Sequence, residues 1–139
     1  MNGSNHISYV AVVDDDDSVC RSLGRLLRSA GFHPVTYLSA EAFLEDRNRP
    51  RFDCMLLDIQ LSGISGLELS HRLAAVNDDT PVVFITAHDD PKVRAEAEAS
   101  GCAGFWRKND PGSAILNLIR HTLHASGLGD PTQPSPPDR

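Results

Sequence analysis

The sequence predicts an α/β domain, a five-stranded parallel sheet with helices on both faces. Two observations carry that expectation. Five short apolar runs alternate with five stretches whose apolar residues recur at helical spacing, the pattern of a parallel sheet with crossover helices. Three of the runs also stop abruptly at a polar residue: Val12-Val13 at Asp14, Met55-Leu56-Leu57 at Asp58, and Val83-Phe84-Ile85 at Thr86. Unbroken apolar runs mark strands buried on both faces. In such sheets the crossovers are right-handed, and ligands lie at the carboxyl ends of the strands, near a switch in strand order.

The elements follow in order. Residues 1–7 read as a loose leader and residues 8–126 as the domain. Tyr9 to Val13 is the first strand. Val19, Leu23, Leu26 and Leu27 then share a helix face, with Asp16 or Asp17 as cap and Gly31 as stop. His33 to Leu38 is a short strand. Ser39 caps a helix running to about Arg47, with Leu38 and Phe43 spaced for a hydrophobic staple, and Asn48-Arg49-Pro50 breaks it. Phe52 to Leu57 is the third strand, and Gln60 to Gly66 is a loop. Leu67, Leu69, Leu73 and Val76 belong to the third helix. Val82 to Ile85 is the fourth strand. Asp90-Pro91 opens a small, alanine-rich helix that ends at Gly101. Ala103 to Arg107 is the fifth strand. Asp110-Pro111 repeats the capping signal before a helix marked by Ile115, Leu116, Leu118, Ile119 and Leu123. Residues 127–139 hold four prolines and almost nothing to bury, so they read as a flexible tail or the start of a linker.

Composition narrows the function classes. With 139 residues the chain suffices for one domain with a real core. A net charge of −6 argues against a nucleic-acid-binding surface. Cys20, Cys54 and Cys102 lie in apolar segments without metal-type spacing and read as reduced thiols. No signal-peptide pattern and no apolar run of membrane length is present, so the expected compartment is the cytoplasm.

The predicted topology gathers Asp14, Asp15, Asp58, Thr86 and Lys108 at one sheet edge. Two unit charges about 4 Å apart repel by roughly 4 kcal/mol at an effective dielectric near 20. Converging aspartates therefore need raised pKa values or a cation. Magnesium fits, because it accepts few protein ligands and keeps positions for phosphate oxygens. A calcium loop is excluded, since its spacing and its glycine are missing. An aspartate here is also a candidate nucleophile for an aspartyl phosphate. Lys108 would neutralise phosphoryl oxygens opposite the metal, and the Thr86 hydroxyl would donate to a remaining one. A phosphorylated Asp58 gains close to two negative charges and three strong acceptors, enough to draw Thr86 and Lys108 inward.

VVDDDD, LLDIQLSGISG, VVFITA and GFWRK occur in this order over about residues 8–124. In that combination the chain resembles the receiver domain of two-component response regulators. LSAEAFL and the DDDDSV start further resemble receivers of the FixJ/NarL type. The resemblance implies the flavodoxin-like (βα)5 fold with strand order 2-1-3-4-5. It implies Asp58 as phosphoacceptor, Asp15 as direct magnesium ligand, Asp14 as its partner acting through water, and Gln60 as a backbone-carbonyl ligand. Thr86 matches the switch hydroxyl, Phe105 the switch aromatic and Lys108 the phosphate-binding lysine. A sensor histidine kinase or histidine phosphotransfer protein would be the donor. The face of the fourth helix, fifth strand and last helix would make a homodimer or partner contact. No nucleic-acid or membrane contact is implied for this domain.

Several positions depart from that pattern. Asn109 stands where receivers usually place a cis proline after the lysine. A cis bond costs about 2.5–4 kcal/mol before a non-proline residue, so a trans bond with a reshaped loop is expected. Leu61-Ser62 replaces the usual Met-Pro, which points to a more mobile loop. Trp106 and Arg107 would put bulk and charge on the partner face, with plain packing the alternative for Trp106. His88 stands near enough to Thr86 to affect phosphoryl lifetime, or is an exposed loop residue. Two other functions remain open: a phosphorylation-independent interaction module, supported by the missing proline, and an aspartyl-phosphate phosphohydrolase. The second usually wants an acid where Gln60 stands. The expected role is a signalling domain rather than an enzyme.

Overall fold

Pairing, more than polarity, sets where the strands begin and end. The computed structural model describes residues 6–87 and 90–125. Its elements are β1 (Tyr9–Val13), α1 (Asp17–Ser29), β2 (His33–Tyr37), α2 (Ala40–Glu45), β3 (Cys54–Asp58), α3 (Gly66–Ala75), β4 (Val82–Thr86), α4 (Pro91–Ala99), β5 (Gly104–Arg107) and α5 (Gly112–Ala125). The strands form one parallel sheet in the order β2-β1-β3-β4-β5, as expected. The called tail, 127–139, and most of the leader lie outside the described residues, as does His88. No helix among the described residues is long and apolar enough to cross a membrane.

The central strands are buried on both faces, and alternation along them divides the core in two. Val10, Val12, Leu56, Val83, Ile85 and Trp106 face α1 and α5. Ala11, Val13, Met55, Leu57 and Phe84 face α2, α3 and α4. The register sets Val13 beside Leu57 and Leu57 beside Phe84. Asp14 therefore follows β1 at the edge where β3 ends in Asp58 and β4 ends in Thr86.

Local chemistry fixes the helix starts. Asp16, rather than Asp17, caps α1: its carboxylate accepts from the backbone N–H of Ser18 and Val19. Ser39, Ser65 and Asp90 cap α2, α3 and α4 in the same way. α5 begins at Gly112, one residue later than the Asp110-Pro111 signal implies, and Asp110 Oδ2 accepts from the backbone N–H of Arg107 at 3.3 Å, which ties the turn behind it.

Three details differ from the expectation. α2 ends at Glu45, because Asp46 leaves helical geometry and accepts a 2.7 Å bond from the Tyr37 hydroxyl. Leu38 is 50% exposed and forms no buried staple; Phe43 is buried against the edge of the Tyr37 ring, 5.2 Å away. The loop after β3 closes at Ser65, because Gly66 already begins α3.

Gly66 is held by close approach. A Cβ at this position would run into the Asp58 carbonyl oxygen and lie 2.9 Å from Ile59 Cα. At Gly24, inside α1, the nearest atom to such a Cβ is Arg28 Nη1 at 3.6 Å. The two glycines should respond oppositely in thermal unfolding. Gly66→Ala is expected to lose about 1–3 kcal/mol through overpacking. Gly24→Ala is expected to gain about 0.5–1 kcal/mol, as an alanine in a helix interior does.

Candidate functional site

The site is assembled by four strand ends. Asp14 follows β1 and is fully buried, its backbone N–H donating to Tyr37 O at 3.1 Å. Beneath it, the Cys20 thiol donates to Asp14 O at 3.3 Å. Burial pushes that thiol up to about 11, so it stays protonated and able to donate. Asp58 ends β3 and is 4% exposed. Thr86 ends β4 and is likewise buried. Lys108 follows β5, and its backbone N–H donates to Thr86 O at 3.0 Å, which anchors the turn. The Lys108–Asn109 peptide is trans, as expected, and the lysine still reaches the acids.

The ammonium lies between two carboxylates. Lys108 Nζ stands 2.9 Å from Asp14 Oδ2 and 3.2 Å from Asp58 Oδ2. Asp14 Oδ1 accepts from the backbone N–H of Asp16 at 2.9 Å, and Asp58 Oδ1 from that of Gln60 at 3.0 Å. Asp14 Oδ2 nonetheless receives no well-directed hydrogen bond, although it is buried. The ammonium beside it donates to Oδ1, at 3.3 Å, so for Oδ2 the contact is one of charge. Asp15 is exposed, and it completes the cluster: one carboxylate oxygen each from Asp14, Asp15 and Asp58 lie within 4.8 Å of one another.

Three acids facing one ammonium leave net negative charge in a poorly solvated place. Burial, and then the Asp14 charge, push Asp58 up to about 6, against the Gln60 N–H and the Lys108 ammonium. Burial disfavours the charged form of Lys108, but its bond to Asp14 and the charges of Asp58 and Asp14 outweigh this and raise its pKa. The under-satisfied Asp14 oxygen, the all-oxygen donor set and the exposed third acid fit a hard divalent cation such as magnesium.

A second feature adjoins Thr86. A cleft of about 140 Å³ is lined by Thr86, Ile59, Val93, Arg94, Phe105 and Arg107, among others. Phe105 is half-buried, its ring 6.1 Å from that of Phe84 and covered by the Arg94 guanidinium at 4.7 Å. Trp106 takes the second of its two expected roles, plain packing. Alternation turns it to the α1/α5 side, where it is 7% exposed and donates from Nε1 to Pro111 O at 3.2 Å. Packing is therefore its role, and of the two residues only the exposed Arg107 puts charge on the outer face.

Three contacts around the site have no sequence signal: Arg94 over Phe105, Gly66 against the Asp58 carbonyl, and Glu41 Oε2 bonded to the backbone N–H of Ile64. The expected looseness after Asp58 is also qualified, because Leu61 is buried beneath that loop.

The raised Asp58 pKa has a stability consequence. Between about pH 4 and 6 the folded chain binds more protons here than the unfolded chain, so ionising Asp58 costs stability as pH rises through that window. In metal-free buffer, Asp58→Asn is expected to be more stable than the parent at pH 7.5, by on the order of 1–2 kcal/mol, since burial and the Asp14 charge outweigh the Lys108 attraction. The difference should vanish near pH 4. Urea unfolding at the two pH values measures it.

Comparison with known proteins agrees with this geometry. Residues 10–120 match the model of the response regulator receiver domain. The response regulator protein TodT of Pseudomonas putida is 32% identical over 120 residues, which are 86% of this chain and 53% of that protein. The transcriptional regulatory protein FixJ of Azorhizobium caulinodans is 38% identical over 117 residues, 84% of this chain and 56% of that protein. The chain thus spans about half the length of these curated relatives. The crystal structure of a response regulator receiver protein from Burkholderia phymatum superimposes with a TM-score of 0.76 at 40% identity, covering 89% of this chain and 98% of that one. By fold, by sequence and by the acids at its sheet edge, the chain belongs to the response regulator receiver domain family.

Proposed function

We propose that the chain is a phosphorylation-dependent switch of a two-component phosphorelay, a signalling domain rather than an enzyme with metabolic turnover. One observation carries the reading: segments distant in sequence converge so that a buried Asp58 faces Asp14, Asp15 and the Lys108 ammonium. In this reading an Asp58 carboxylate oxygen attacks the phosphorus of a phosphohistidine on a sensor kinase or phosphotransfer protein. The new O–P bond forms as the P–N bond breaks, and the imidazole leaves. The Gln60 N–H orients Asp58, and Lys108 binds a phosphoryl oxygen. Asp14, Asp15, Asp58 and the Gln60 carbonyl would hold magnesium, which when bound neutralises charge on the carboxylates and the phosphoryl oxygens.

Thr86 and Phe105 then read the modification. A phosphoryl group on Asp58 offers acceptors to the Thr86 hydroxyl, and the cleft beside Thr86 gives Phe105 space to follow. The affected surface is α4, β5 and α5, which would meet a second copy of this chain or another protein in the cytoplasm. α4 buries only Ala97 fully, so most of its surface is free for that contact. The position of Lys108 favours this reading over a phosphorylation-independent module, because the ammonium reaches Asp58 without the usual proline. The curated relatives include transcriptional regulators, so output through a DNA-binding region elsewhere in a longer protein fits the reading.

Acetyl phosphate with magnesium tests it. The parent should gain the mass of one phosphoryl group, and Asp58→Asn should not. Lys108→Ala should be labelled roughly 10²-fold more slowly, the usual effect of removing one charge-stabilising donor. Thr86→Ala should accept the label but lose the accompanying rise in amide hydrogen exchange across α4. Labelling of Asp58→Asn at the parent's rate would sink the proposal.

A further inference from the structure

The loop between β3 and α3 is fastened twice. At its base the Gly66 N–H donates to Ile59 O at 3.0 Å, and the Gln60 N–H to Asp58 Oδ1 at 3.0 Å. The second fastening comes from another element. Glu41, in the first turn of α2, extends its side chain to the loop, and Oε2 accepts the backbone N–H of Ile64 at 2.9 Å. The carboxylate also lies against Gly63, whose φ of +72° suits glycine and where an added Cβ would overlap Glu41 Oε2. Leu61 fills the space underneath, buried with the α2–α4 side of the core.

α2 itself does not require this carboxylate. Ser39 supplies the cap by accepting from the Ala42 N–H, and Ala40 and Phe43 bury the inner face. The Glu41 side chain is directed at the loop, and the Ile64 N–H holds its pKa below the ordinary glutamate range. The acceptor is therefore ionised at neutral pH, and charge-assisted bonds of this kind are the stronger ones. Glu41 and Ile64 are 23 residues apart, so the bond ties two elements that the chain does not otherwise connect locally.

We infer that Glu41 is a positioning residue for the phosphoacceptor site. Its carboxylate fixes the loop that carries Gln60, and with it both the Gln60 carbonyl and the N–H that orients Asp58. The inference rests on the phosphoacceptor reading above. Groups that orient ligands from behind commonly matter 10–100-fold for metal affinity or activity.

The experiment uses the full chain and three variants: Glu41→Ala, Glu41→Gln and Gly63→Ala. Magnesium binding is measured by calorimetry, and labelling of Asp58 by acetyl phosphate is followed by mass at saturating magnesium. Glu41→Ala is expected to bind magnesium roughly tenfold more weakly and to be labelled roughly tenfold more slowly. Glu41→Gln keeps an oxygen acceptor without its charge and should lie between the parent and Glu41→Ala in both. Gly63→Ala displaces the carboxylate and also strains the loop at its φ of +72°, so it should lose at least as much as Glu41→Ala; parent-like behaviour there overturns the inference even if Glu41→Ala does not fold. Parent-like binding and labelling in the variants that remove or displace the carboxylate would overturn the inference and leave the phosphoacceptor reading standing. So would a glutamine variant as impaired as the alanine one. A parent chain that neither binds magnesium nor accepts the label would overturn the underlying reading as well.

Discussion

Two carboxylates that end neighbouring buried strands share one ammonium, and much of this structure is arranged around that imbalance. Asp14 and Asp58 cannot separate, because the β1–β3 register sets Val13 beside Leu57 and both strands are buried on both faces. Water cannot screen them well, because Asp14 is wholly buried and Asp58 nearly so. Lys108 supplies one compensating charge from the far side of the sheet. What remains is a shortage of positive charge at a fixed place. Each unit of the resulting pKa displacement corresponds to about 1.4 kcal/mol held against ionised Asp58, which a hard cation or a proton can relieve. The site is thus poised by the fold, at a cost to the fold.

That cost is sustained by the less visible half of the molecule. On the α1/α5 side, Cys20, Leu23 and Leu27 meet Ile115, Ile119 and Leu123 in one continuous cluster with Val10, Val12, Leu56, Val83 and Ile85. Fully burying each large aliphatic side chain contributes roughly 1.5–3 kcal/mol before ordering entropy is subtracted. A core of this kind outweighs one destabilised carboxylate. Trp106 belongs to the same side and, through Pro111 O, ties the end of β5 to the approach to α5. The lysine turn thus stands between two anchors, Thr86 O on one side and the Trp106–Pro111 bond on the other. This explains why Lys108 is well placed without a proline after it.

How much of this was legible in the sequence depended on how local the cause was. The apolar runs ending in Asp14, Asp58 and Thr86 were readable because strands buried on both faces leave few alternatives. The caps at Asp16, Ser39, Ser65 and Asp90 act within three residues, and those at Ser39 and Asp90 could be named outright. Boundaries set by tertiary contact were not readable. The Tyr37 hydroxyl shortens α2 through Asp46, and Tyr37 rather than Leu38 meets the Phe43 ring. Trp106 illustrates the intermediate case. Strand alternation, with Phe105 on one face, was enough to turn Trp106 to the other, yet bulk at a partner face remained an open alternative until the packing was in view. Glu41–Ile64, Gly66–Asp58 and Arg94–Phe105 had no signal, since each joins residues whose proximity only the folded topology creates.

The helices that cover the sheet are unequally buried, and the inequality bears on where a change at Asp58 can travel. α1 and α5 each bury four residues, whereas α4 buries Ala97 alone, with Val93 partly covered. Elements with few buried apolar contacts lie at the low end of local stability and rearrange at least cost. On that side Phe105 is held by ring packing against Phe84 and by the Arg94 guanidinium, a contact worth about 0.5–1 kcal/mol where exposed and more where desolvated. In the proposed switch, a dianion beside Thr86 and Lys108 would form charge-assisted bonds at about twice the strength of neutral ones. The comparison decides the direction. The same event pressing on α1 or α5 would have to move helices that each bury four residues, while at α4 it competes with one buried alanine, the partly covered Val93 and the stacked guanidinium. For the proposed switch, the shallow burial of α4 supports a response through β4, β5 and α4.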